Sequence, residues 1–435
     1  MDPADMAALE PDELPRLQSR RLVDLIDRLR DVETTFWRDK IAGIGSITGI
    51  EDVAHLPMTT KTEFRSTYPL GMLAVDPTEV VRVHASSGTS GKPTIVAYTA
   101  ADVNVFAEVN ARSLALAGAT RASVVHVAYG YGLFTGGLGL HYGVEALGAT
   151  AVPASGGNPG FQVRLLADLA ADGLACTPSY SLLLAERAAE EGVLGSIELK
   201  WGIHGAEPWS DGLRAKIEEA WGGGFTACDI YGLSEIIGPG VASEWNEHRG
   251  AMVIMEDHFY PEIIDPFTDE PLPDGELGEL VLTTLTKQAQ PVIRYRTGDI
   301  TRLLPPVGGI PFRRIERLQG RADDMLIIRG INVYPREIES VLLDDPDLGG
   351  QFAVIIDKRG TLDEIEARVE LRDESLAPQR EAIAVRIQKR LMETIRLRVK
   401  VDVRDPGEVP RQEVGKAKRV FLRTDEKHPL GDEVS

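Results

Sequence analysis

Leucines recur at helical spacing between residues 12 and 32, at Leu14, Leu17, Leu22, Leu25 and Leu29. The spacing predicts an amphipathic opening helix. From about residue 80 to 304, short runs rich in β-formers alternate with helical stretches. Residues 124–128, 150–153, 203–205 and 280–285 read as strands, and 161–171 and 180–191 as helices. That alternation predicts an α/β layered domain. The most apolar window, 122–140, holds five glycines and His126. It reads as a strand followed by a loop, not as a membrane span.

After Gly320 the pattern changes. Ile365, Ala367, Val369 and Leu371 alternate with charged residues, as do Val399, Val401 and Val403. Each run predicts a strand with one wet face. Between them Ile383, Ile387, Leu391 and Ile395 mark one face of a helix, and a shorter helix is predicted over 335–343. The expectation is a small α+β domain of roughly a hundred residues, large enough for its own core. We place the division at 1–320 and 321–435, with a hinge near 320–324.

Composition narrows the class. A chain of 435 residues exceeds one compact core. With 43% apolar and 26% charged residues it reads as globular. The formal net charge of -20 disfavours nucleic acid and anionic membranes as partners. Cys176 and Cys228 stand in no metal-binding cluster, so zinc is not expected, and two cysteines fit a reducing cytoplasm. Residues 1–10 carry early acidic residues and no apolar core, unlike a signal peptide.

The strongest local signal is Ser86-Ser87-Gly88-Thr89-Ser90-Gly91-Lys92-Pro93-Thr94, directly after the apolar run 80–83. Small residues let the backbone wrap a phosphate and aim N–H groups and hydroxyls at its oxygens. The glycine spacing and Pro93 after the lysine set it apart from the Walker loop. A plain Gly/Ser turn is the bland alternative.

With this string the chain resembles the superfamily of adenylate-forming enzymes. Further matches follow in the superfamily's order: Tyr231-Gly232-Leu233-Ser234-Glu235, Tyr295-Arg296-Thr297-Gly298-Asp299, Gly320-Arg321-Ala322-Asp323-Asp324, and 410–416 ending in Gly415-Lys416. Longer strings narrow the resemblance to the phenylacetate–CoA ligase family: YGYGLFTGGLGLH at 129–141, Gly205-Ala206-Glu207-Pro208-Trp209, YGLSEIIGPGV at 231–241, EDHFYPEII at 256–264, TTLTKQAQPVIRYR at 283–296 and GRADDMLIIRGINVYP at 320–335. The likeness covers essentially the whole chain.

The resemblance implies ATP, Mg²⁺ and coenzyme A as cofactors and an aryl carboxylic acid as substrate. The acid would be adenylated and then passed to the thiol. It assigns 86–92, Gly205, Ala206, Glu207, Pro208, Asp229, Tyr231, Gly232 and Ser234 to the nucleotide. Glu235, a hard carboxylate, suits Mg²⁺. Tyr231 offers a flat ring to adenine, Asp299 can accept from both ribose hydroxyls, and Arg321 is a second nucleotide contact. Lys416 would stabilise charge at the α-phosphate during adenylation. The small domain would rotate between half-reactions, with Asp323 at the hinge and Gly330 passing the pantetheine arm. Tyr129, Tyr131, Phe134, Ile236 and Pro239 would wall the acyl pocket, where flat apolar sides suit a ring. No Asp or Glu lies in 129–139 to pair an α-ammonium group. Thr297-Gly298-Asp299 follows the wider superfamily, where near relatives often carry Arg directly before the Asp, and Val414 lengthens the lysine motif by one residue. Relatives of this kind are often homodimers.

Two other readings stand beside this one. The acceptor could be a carrier-protein thiol or a nitrogen nucleophile, which CoA-dependent AMP release would separate. A non-catalytic nucleotide sensor could share the fold, but the intact set of Lys416, Glu235 and Asp299 argues against it. Removing the cation in Lys416→Ala should slow adenylation roughly 10²–10³-fold while sparing thioester formation from a supplied acyl-adenylate. The two half-reactions assayed separately decide this; equal loss in both would remove Lys416 from its role.

Overall fold

Runs buried on both faces, such as Gly173–Cys176 and Trp201–His204, can lie only inside a layered sheet. In this computed structural model they do. The structure describes residues 6, 9–10, 12–86, 93–207, 209–322, 326–328, 331–333, 335–359, 363–409, 419–424 and 429–430. The chain divides into two compact units, Met1–Ala206 with Ile217–Leu318, and Glu207–Lys216 with Gln319–Ser435.

A nine-stranded mixed sheet runs through the larger unit, among the described residues. Its order is Leu303–Leu304, Arg314–Glu316, His248–Ile254, Gly238–Trp245, Thr226–Leu233, Trp201–His204, Gly173–Cys176, Val124–Val127, Thr150–Val152. The last five are mutually parallel; from Gly238 onward the pairing turns antiparallel. Helices Ala100–Ala117, Thr135–Leu147, Pro159–Asp168 and Pro178–Glu190 lie between the strands in sequence. A second antiparallel group joins Pro271–Leu272, Phe259–Ile264, Gly278–Thr284 and Tyr295–Thr301. The hairpin Arg82–Ser86 with Thr94–Tyr98 stands apart. The opening helix spans Glu13–Arg30 and buries Leu14, Leu22, Leu25 and Leu29 as its spacing predicts. Gln18, not Leu17, completes the buried face, and its Nε2 donates to the Glu256 carbonyl at 3.0 Å.

The window 122–140 differs from expectation in its second half. Val124–Val127 is a strand, but Thr135–Leu147 is helical. Its glycines argue against a helix by propensity, yet they let it press on Ala100–Ala117. A Cβ added at Gly143 would stand 2.6 Å from Asn110 Cβ and 2.8 Å from the Asn110 carbonyl carbon. His126 in the strand is a core residue: Gln162 gives its Nε2 to the Ser155 and Gly157 carbonyls, so its Oε1 accepts from His126 Nε2 at 2.9 Å.

The smaller unit carries a sheet ordered Val399–Arg404, Glu364–Leu371, Leu348–Asp357, Val420–Arg423. Its core joins Ile365, Ala367, Val369 and Leu371 to Ile383, Ile387, Leu391 and Ile395 on the helix Arg380–Ile395. The second helix is Pro335–Leu343, as predicted. The wet face of Glu364–Leu371 is partly covered, which alternation alone does not reveal. Arg368 is buried, with Nε donating to Asp402 at 2.9 Å, and Glu370 accepts the Val409 N–H at 2.6 Å.

Gly143→Ala tests the helix contact. Helix propensity alone would favour alanine by about 1 kcal/mol, but overpacking against a fixed backbone costs about 1–3 kcal/mol. Urea unfolding should therefore show a net loss of stability. An unchanged or raised midpoint would contradict the close approach.

Candidate active site

In open α/β sheets, ligands bind beyond the carboxyl ends of the strands. Tyr129 lies just past Val124–Val127, Gly205 and Ala206 follow Trp201–His204, and Tyr231 and Gly232 end Thr226–Leu233, with Ser234 and Glu235 next. One edge of the sheet thus gathers residues far apart in sequence.

Several are tied to each other. The Tyr129 hydroxyl accepts the Gly205 N–H at 2.8 Å. A Cβ at Gly205 would meet the Ile230 carbonyl at 2.4 Å, so only glycine fits this turn. Ala206 follows with φ +69°, a left-handed conformation unusual for alanine. Tyr231, buried, donates its hydroxyl proton to Asp299 Oδ2 at 2.6 Å. Asp299 lies in Tyr295–Thr301, and its N–H is held by Thr297 Oγ1 at 3.0 Å. The predicted adenine and ribose residues therefore meet. Between Tyr231 and Gly232 the register shifts, and a Cβ at Gly232 would fall 1.8 Å from the Gly238 carbonyl oxygen. Asp229 sits inside the strand, where its N–H donates to Glu244 Oε2 at 3.0 Å.

Ser86 pairs with Thr94 at the end of the hairpin, so the glycine-rich string closes two paired strands. Its members 87–92 lie outside the described residues, as do Pro208, Asp323, Gly330 and Lys416. Glu207 and Arg321 belong to the smaller unit, Arg321 in the short strand Gly320–Arg321.

The segment predicted to wall the acyl pocket is anchored to the same hairpin. The Leu133 carbonyl accepts the Ala85 N–H at 2.8 Å and His84 Nδ1–H at 3.0 Å. Burial pushes the His84 pKa down, so its ring is neutral with the proton on Nδ1. The Tyr131 hydroxyl lies 3.3 Å from His141 Nδ1, whose Nε2 is 3.2 Å from Glu145. Burial raises the Tyr131 phenol to about 12. Phe134 precedes the helix Thr135–Leu147 and is half-exposed; Ile236 is fully buried. The Pro239 carbonyl accepts from Asn110 Nδ2 at 3.0 Å.

Glu235 is 3% exposed, and its Oε1 accepts no hydrogen bond among the described residues. The Lys61 ammonium stands 3.4 Å away, on a half-exposed side chain at the start of helix Lys61–Ser66. A buried carboxylate with an unsatisfied oxygen fits a hard divalent cation. Glu108, Asp257 and His258 also come within 4.8 Å of one another. There Arg112 donates to both carboxylates, at 2.9 Å for Asp257, so arginine already matches their charge.

Lys61, Tyr98, Phe106 and Lys287 escape the sequence reading. Lys287 is buried at 1% exposure, which pulls its ammonium down to about 8. The one signal was its isolation as a charge in 283–292, between strand and RYRTGD string.

Comparison with known proteins gives the family. A family model for AMP-binding enzymes matches residues 27–285, and one for the AMP-binding enzyme C-terminal domain matches 330–423. A phenylacetate-coenzyme A ligase of Pseudomonas putida is 47% identical, over 96% of this chain and 97% of its own. One from Escherichia coli is 44% identical over 97% of both. The chain belongs to the phenylacetate–CoA ligase family. It is an AMP-forming acid–CoA ligase, with ATP and CoA as substrates and Mg²⁺ as the family's usual ion. Among solved structures, a 2-hydroxyisobutyryl-CoA ligase in the postadenylation state with 2-HIB-AMP superposes with TM-score 0.83 at 28% identity, covering 95% of this chain and 92% of the other. The mixed α/β architecture with a small C-terminal domain is the one these ligases share.

If the Tyr231 phenol orients Asp299, Tyr231→Phe should raise the KM for ATP about 10–150-fold, the range expected for losing a hydrogen bond to a charged group. Steady-state kinetics with varied ATP checks this. An unchanged KM would show that the phenol does not serve the nucleotide.

Proposed function

We propose that the acid this ligase activates is aromatic, phenylacetate or a ring-substituted relative. The observation that carries the reading is the make-up of the predicted pocket residues: aromatic Tyr129, Tyr131 and Phe134, apolar Ile236 and Pro239, and no carboxylate within 129–139. Burying a ring against such walls contributes about 2–3 kcal/mol. An α-ammonium group without a partner would cost several kcal/mol. The naming of near-full-length relatives as phenylacetate–CoA ligases supports the same choice.

In this reading Ser86 and residues 87–92 cradle the phosphates, Tyr231 and the Gly205–Ala206 turn flank the adenine, and Asp299 takes the ribose. Glu235 would hold Mg²⁺, which when bound neutralises phosphate charge. Lys416 serves adenylation, Gly330 admits the thiol arm, and the division at 1–320 and 321–435 lets the small domain turn between the two. Solved structures of the 2-hydroxyisobutyryl-CoA ligase in postadenylation and thioesterification states support two working arrangements. Among the described residues no helix is long and apolar enough to cross a membrane, and both cysteines are buried. These fit a cytoplasmic enzyme. We extend the homodimer of relatives to this chain, a state that light scattering tests.

Substrate choice is tested by kcat/KM for phenylacetate, benzoates, cinnamates, palmitate and phenylalanine, read as acyl-CoA and AMP. An aryl acid should lead the panel. A lead for palmitate or phenylalanine would overturn the aromatic pocket while leaving the adenylation chemistry in place.

A further inference from the structure

Beside the turn that carries Glu235 stands a buried cation to which no step of the reaction has been assigned. Lys287 extends its ammonium to the main-chain carbonyl of Glu235 at 3.0 Å. The same ammonium lies 5.1 Å from the centroid of the Tyr98 ring, within cation–π range. The Tyr98 hydroxyl donates to the carbonyl of Ile237 at 2.9 Å. Both side chains are fully or almost fully buried. One stacked pair thus grips two carbonyls of one turn, the turn closed by the N–H groups of Ile236 and Ile237 on the Leu233 carbonyl at 3.1 and 3.2 Å.

The base of the clamp is fixed from several directions. Arg28 donates to the carbonyls of Lys287 at 2.7 Å and Gln288 at 2.9 Å. Asp102, wholly buried, accepts the N–H groups of Gln288 at 2.6 Å and Ala289 at 2.9 Å. Gln290 Oε1 accepts the Ala97 N–H at 2.6 Å, locking the segment to the strand that holds Tyr98. A lysine is costly to bury, and an ordinary packing role would be met by methionine or leucine. What the ammonium adds is a donor at the Glu235 carbonyl and a positive charge behind its carboxylate.

We propose that Lys287, with Tyr98, is a positioning residue for Glu235: it holds the peptide so that the carboxylate faces the nucleotide's metal. The proposal rests on the reading of Glu235 as the Mg²⁺ ligand. It makes Lys287 important for metal-coupled ATP binding and indifferent to ATP binding without metal.

The test is calorimetric titration of ATP into the full-length enzyme, in EDTA and in saturating Mg²⁺, for wild type, Lys287→Met and Tyr98→Phe. Wild type should bind ATP more tightly with Mg²⁺. Lys287→Met should lose about tenfold of that enhancement, the scale of coupling between linked sites, while its affinity in EDTA stays within about twofold of wild type. Tyr98→Phe keeps the ring and the ammonium and removes one donor, so it should shift the same quantity by less. It decides the matter alone if the lysine variant does not fold. Mg²⁺ enhancement retained by the folded variants would overturn the clamp, and so would an equal loss of affinity with and without metal. A wild type without any enhancement would instead overturn the metal role of Glu235, and the clamp with it.

Discussion

Glu235 and Ile237 turn their carbonyl oxygens toward the protein interior, and each needs a donor there. Lys287 and Tyr98 supply them. Much of the larger unit is arranged around that requirement. Burying the ammonium calls for nearby negative charge and a π face, which Asp102 and the Tyr98 ring provide. Asp102 in turn caps the helix Ala100–Ala117 through Thr99 and holds the peptides after Lys287. The opening helix contributes Arg28 to the same knot. The first helix, the hairpin strand, the long helix and the loop before Tyr295 are therefore joined at one polar centre inside an apolar core.

The layered architecture was legible because its signals are local and periodic. Leu14, Leu22, Leu25 and Leu29 mark the opening helix, and Ile383, Ile387, Leu391 and Ile395 mark the helix of the small unit. Of the nucleotide residues, Tyr231 and Asp299 were legible as members of strings, but their meeting was not. They stand in different sheets, and no spacing along the chain encodes a bond between them.

What stayed hidden depends on partners distant in sequence. Lys287 stands inside a recognised string, but nothing along the chain encodes its bond to a carbonyl 52 positions away. Lys61 opens a helix capped by Thr60 and Glu63, and its approach to Glu235 is likewise not encoded along the chain. The helix Thr135–Leu147 reads as a loop because glycines at 136, 137, 139 and 143 disfavour it locally, while close packing on Asn110 and Phe106 rewards them. In the small unit, Arg368 and Glu370 satisfy strand alternation yet are covered by Asp402 and the Val409 backbone.

The bond between residues 129–134, proposed to wall the acyl pocket, and the hairpin strand Arg82–Ser86 is made by the main chain of Leu133, whose side chain is 63% exposed. A peptide oxygen is common to every amino acid. Side chains at 131–134 can therefore change without removing this tie to the strand that leads into the glycine-rich string, whereas the Tyr129 hydroxyl also holds the Gly205 N–H. In the reading proposed above, side chains shape the wall that meets the acid, while this particular tie to the hairpin uses only backbone from 129–134. A substitution at Tyr131 or Phe134 would then reshape that wall and leave the Leu133 carbonyl's tie to the hairpin in place.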